Sequence, residues 1–159
     1  MVNIKDGNRL KYNNYKEQFR RLNKALTNGF NLEAIFIEYA IMEDRTESIL
    51  KHAELWDSYV KSRKGREPNI YTKIRYIQKK AENKNDSLHK YFSDGLLDDV
   101  LAWKDERNRL IHALLKQQLE HNEVSELAKK GNELVKELRN RAAGYSRMMD
   151  KQKEKAAEG

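Results

Sequence analysis

Leu32-Glu33-Ala34-Ile35-Phe36-Ile37-Glu38-Tyr39-Ala40-Ile41-Met42 decides how this chain folds. Leu32, Ile35, Tyr39 and Met42 recur every three or four residues, the spacing that lays an apolar stripe along an α-helix. Ala34, Phe36, Ile37 and Ile41 fill the other sides. This half is therefore apolar nearly all round, as expected of a central helix or of one that meets a second subunit. Ile49, Ala53, Trp56 and Val60 carry the stripe onward, which predicts one long helix over residues 32–62. The longest apolar run, Ala34 to Met42, is interrupted by Glu38 and falls far short of the roughly 18 residues that a membrane span needs.

Working outward, Tyr12, Tyr15, Phe19, Leu22 and Leu26 predict a helix over residues 8–27, stopped by Asn28-Gly29. Asn31 is placed to cap the next helix, with Glu33 in its first turn. Residues 61–68 form a basic linker that holds the only proline. Ile70, Ile74, Ile77 and Ala81 predict a helix over 69–83, followed by a polar break and a short piece over 88–92. Ser93-Asp94-Gly95 is a turn signal, after which Leu96 to about Gln118 is helical again. A last helix starts near Asn122 with Leu127, Leu134, Leu138, Tyr145 and Met148 at heptad-like spacing. The resulting expectation is an all-α protein: an antiparallel bundle of four core helices plus a long C-terminal fifth helix. Residues 1–150 make one domain, and 151–159 a frayed polar tail.

Charged residues reach 36% against 38% hydrophobic, a balance that suits amphipathic helices with much solvated surface. The 159 residues contain no cysteine, which excludes disulfides and thiolate metal sites and fits a reducing cytoplasm. Four scattered histidines without an HExxH pattern leave no recognisable metal-ligand set, and no cofactor is expected. The first residues have no apolar h-region of a secretory signal, so a soluble cytoplasmic protein without membrane contact is the expectation. A net charge of +7 favours an anionic partner such as RNA or a nucleotide. Lys61, Arg63, Lys64 and Arg66 form one phosphate footprint, and Lys79, Lys80 and Lys84 another.

One segment reads as chemistry. Residues 107–112 are Arg-Asn-Arg-Leu-Ile-His: Arg107 followed at once by the amide of Asn108, and His112 five positions on. Arginine is a permanently charged phosphate grip, and histidine moves protons near neutral pH. A fixed pair of them is a minimal kit for cutting a phosphodiester without a metal. On a straight helix a five-residue offset turns the two side chains about 140° apart. Their convergence then needs a helix start or kink near 104–107, a wrapped arginine, or a second chain. Arg109 reads as a structural ion pair with Asp105, and Trp56 and Trp103 as core.

Arg107-Asn108-x-x-x-His112, late in a short all-helical chain, resembles the motif of the HEPN superfamily, over perhaps residues 8–120. The resemblance implies a metal-independent endoribonuclease of toxin or phage-defence type, working as a homodimer whose two motifs meet in a cleft, with an antitoxin as a further partner. It gives Arg107 the scissile phosphate, His112 the proton transfer, and Asn108 either the orientation of the histidine or a contact to phosphate. Some members add an acid from a neighbouring helix, for which Glu43 and Asp44 are the candidates. Members silenced by nucleotidylation carry a tyrosine two residues after the histidine. Here Leu114 stands in that place, so that mode of control is not implied. Other members bind nucleotides, RNA or protein without turnover.

Overall fold

The computed structural model describes the backbone of residues 4–159 and the side chains from Gly7 onward. Seven helices and no strand are found among the described residues: α1 (Ile4–Thr27), α2 (Asn31–His52), α3 (Trp56–Ser62), α4 (Ile70–Ala81), α5 (His89–Phe92), α6 (Leu96–Ala113) and α7 (His121–Glu158). Among them no helix is long and apolar enough to cross a membrane.

α2 is the central helix. Ala34, Ile35, Ile37, Ile41, Met42, Ile49 and Leu50 are all buried on it. α1 runs antiparallel to it, as Arg21 pairs with Glu33 at 3.4 Å while Arg45 stacks on the Tyr15 ring at 4.2 Å. α6 is antiparallel to α7, with Trp103 Nε1 donating to the Leu127 carbonyl at 2.9 Å. α7 lies parallel to α2 and makes the most extensive packing in the molecule, from Gly131 beside Glu38 to Ser146 at 3.3 Å from His52. Ala128, Gly131 and Ala142 keep that seam thin enough for close approach.

Several helix ends follow their local chemistry. Gly29 takes φ 73°, and Phe30 N–H returns to the Ala25 carbonyl at 2.8 Å, closing α1 with a left-handed cap. Asn69 Oδ1 accepts from Thr72 N–H at 3.0 Å at the start of α4. α2 begins at Asn31 itself, with Phe30 in the cap position and no side-chain cap.

Other boundaries depart from the periodicity. The helix predicted over 32–62 is broken after His52. Glu54 adopts φ 58°, and Leu55 N–H bonds to the Leu50 carbonyl at 2.9 Å, so the chain turns into α3 without glycine or proline. α6 stops at Ala113, where one carbonyl takes the N–H groups of Lys116 and Gln117, both at 2.9 Å. α7 continues to Glu158 across the stretch expected to fray. Lys, Glu, Gln and Ala favour the helix there, with no glycine until Gly159. The exposed-face assignments also shift: Tyr12 is 67% and Phe36 51% exposed.

Candidate functional site on α6

α6 is unbroken from Gly95, whose φ of 95° sets the turn, to Ala113, so no kink brings Arg107 round to His112. The two side chains leave the helix about 140° apart. Arg107 turns toward α2. Its guanidinium lies 4.1 Å from the Tyr39 ring centroid and 5.4 Å from that of Phe36. Its Nη1 donates to Asn108 Oδ1 at 3.1 Å. The Nε–H is buried without a partner. His112 is exposed in the last turn. Asn108 stands one turn before it on the same stripe, so the amide that holds the arginine also borders the histidine.

The surroundings are aromatic and cationic. Lys104, one turn before Arg107, places its ammonium 5.4 Å from the centroid of Tyr71, a half-exposed ring of α4. Burial, with Glu43 adding to it, holds the Tyr39 phenol above its usual range, while Arg107 and Lys104 oppose the shift. Tyr39 therefore presents a neutral ring under the guanidinium, the arrangement that favours cation–π stacking. Leu32 (37% exposed) and Phe36 sit on the same side of α2, and Leu115 just past α6 is fully exposed. A groove of about 560 Å³, lined by Phe30, Leu32, Leu114 and His121, opens beyond the end of α6. Arg107 and His112 do not line it.

The two acids separate. Glu43 lies one turn after Tyr39 and 3.7 Å from Lys73 of α4, near the arginine side. Asp44 turns to α1, bonded to Arg45 Nη2 at 2.5 Å and to Lys11 at 3.4 Å. Those cations outweigh its burial and hold its carboxyl below the usual range. Asp44 thus belongs to the α1–α2 seam and not to the Arg107 surface.

Lys61 and Lys64 are exposed on the loop after α3. Arg63 and Arg66 are partly spent on backbone, donating to the Glu67 carbonyl at 3.1 Å and the Arg63 carbonyl at 3.2 Å. Arg109 does not pair with Asp105. It bridges Glu106 at 3.2 Å and Glu123 at the start of α7, fixing the α6–α7 corner. Trp103 is core at 3% exposure, whereas Trp56 is only partly buried under Lys51.

Glu38, the residue that interrupts the apolar run of α2, has no exposure and no hydrogen-bond partner for either oxygen. Burial pushes its carboxyl up from 4.5 to about 9. Between those values the unfolded chain gives up a proton that the native protein keeps, so stability falls as pH rises through that window. The slope is about 1.4 kcal/mol per pH unit. In urea unfolding at pH 5, 7 and 9, Glu38→Gln should grow more stable relative to wild type at each step. Parallel pH curves would refute a neutral Glu38.

No family model matches the chain, nor does any curated protein or solved structure.

Proposed function

We propose that α6 carries a metal-independent endoribonuclease site of the HEPN type, of toxin or defence character, completed when two copies of the chain meet about a two-fold axis. The observation that carries the reading is Arg107 itself. A guanidinium clamped between a neutral tyrosine ring and an asparagine oxygen holds a permanent charge in a fixed orientation, the preorganisation that a phosphate grip needs. His112 is free in solvent to exchange a proton with the ribose 2′-oxygen or the leaving 5′-oxygen. The angular offset on an unbroken helix supports a shared site, in which Arg107 of one copy faces His112 of the other. Exposed Leu32, Phe36 and Leu115 beside the motif give a second copy apolar surface to cover. Asn108 positions the arginine, and Glu43 is the acid that remains on that side.

The test is cleavage of RNA in EDTA by purified protein. Wild type should leave 2′,3′-cyclic phosphate ends, and Arg107→Ala should lose the activity. Equal cutting by both preparations would assign the activity to a contaminant. The exposed aromatic rings favour a second reading, a module that binds RNA or a nucleotide without turnover. It predicts salt-sensitive affinity with no product in the same assay.

A further inference from the structure

A groove of about 480 Å³ runs along the C-terminal part of α7, at the opposite end of α6 from His112. Arg147, Lys151 and Lys155 line it at successive four-residue steps, and Tyr91 of α5 closes one side with Met148 beside it. Each step advances about 6 Å along the helix, so the three cations span about 12 Å on one stripe. No acidic residue lines the groove. Arg141 and Lys153 of the same helix are paired, with Asp94 at 2.6 Å and Glu54 at 3.1 Å. Arg147, Lys151 and Lys155 have no ion-pair partner among the described residues. Asp150 and Glu154 of the same helix do not line the groove.

Tyr91 lies over a bare stretch of backbone. A Cβ on Gly144 would stand 3.3 Å from its Cε1, so the glycine makes room for the ring. Tyr145 packs against it edge-on at 5.6 Å, fixing its plane, and Lys90 adds an ammonium 5.8 Å from its centroid.

We propose that this groove is a second binding site, a track for a single-stranded polynucleotide, with successive phosphates on Arg147, Lys151 and Lys155 and a base against Tyr91. Cations strung over two helical turns match the repeating charge of an extended strand. A mononucleotide would need them gathered on one phosphate cluster. A fixed aromatic beside a basic stripe is the pairing by which single strands are held without sequence preference. That the strand is RNA rests on the ribonuclease reading of α6; the track itself does not.

The test is fluorescence anisotropy of the full chain with a labelled oligouridine over a salt series, in a His112→Ala background so that no probe is cut. Reversing Arg147, Lys151 and Lys155 together to Glu should weaken binding at least tenfold. It should also reduce the salt slope by about 2, at about 0.7 per phosphate contact. Tyr91→Leu should weaken binding about fivefold or more, and Tyr91→Phe should keep it. Thermal melts of each variant separate lost binding from lost fold. Unchanged affinity of the triple reversal overturns the track, as does duplex RNA bound as tightly as oligouridine. Anionic vesicles that lose binding in the triple variant while oligouridine does not would overturn it in favour of a membrane surface. Loss of the track would leave cleavage of short RNA at α6 intact, and absence of cleavage would leave this binding in place.

Discussion

Mixing Arg107→Ala protein with His112→Ala protein is expected to restore RNA cleavage that neither variant shows alone. Each single variant should fall by about 10²–10⁴-fold, the range for losing an acid–base group or a preorganised charge donor. If each site takes Arg107 from one copy and His112 from the other, a mixed dimer holds one intact site and one doubly damaged one. Half of a random mixture is mixed dimer, so about a quarter of wild-type activity should return. A site built within one chain gives no recovery, because every copy then carries a lesion. Single-turnover rates in EDTA, after unfolding and co-refolding of the two variants, make the measurement. Arg107→Lys adds a control. It keeps the charge but loses the planar stack on Tyr39 and the fixed bond to Asn108, so activity should drop although phosphate attraction remains.

Gly131→Ala should be among the most damaging single-methyl changes in the protein. On an exposed helix that substitution stabilises by up to about 1 kcal/mol. Here the new Cβ would run into Glu38 Oε2 and stand 2.6 Å from its Cδ and 2.8 Å from Trp103 Cζ2. Neither neighbour has room to retreat, since Glu38 is fully buried and Trp103 is held by its bond to Leu127. A net loss of about 3 kcal/mol is expected, or a melting-temperature drop of roughly 6–12 °C for a chain of this size. Adding Glu38→Ala should recover most of it, because the worst clash and the buried carboxyl are removed together. Circular-dichroism melts of the two singles and the double close the cycle. A melting temperature raised in Gly131→Ala would mean that α7 does not approach α2 as closely as described.

How much of this was legible beforehand varies by element. The stop at Gly29 and the turn at Gly95 could be read directly, because each depends on glycine's freedom at positive φ, whereas the cap expected at Asn31 fell to Phe30 and the side-chain cap of Asn69 on α4 was not foreseen. The break after His52 could not be read either. Glu54 enters the left-handed region without the glycine that usually announces it, and what ends α2 there is the return bond from Leu55. Likewise the tail had no apolar face to predict it, yet its residues are good helix formers that α7 simply continues.

The site shows the same division. Arg107, Asn108 and His112 were identifiable as a chemical pattern, but the rings beneath Arg107 were not, because Phe36 and Tyr39 are some seventy residues distant in the chain. Glu38 stood out as a charge inside a greasy run, but nothing local could say that it faces a glycine of another helix. By itself the sequence determined the all-helical class and most helix limits, since periodicity and capping are short-range effects, and it singled out Arg107, Asn108 and His112 as candidates for phosphate chemistry. Only the packing decided which way Arg107 faces, that Asp44 serves the α1 seam, that Arg109 ties α6 to α7, and that Glu38 is sealed where burial raises its carboxyl. Those outcomes depend on which helices come to lie side by side, and proximity in space is set by the whole core at once.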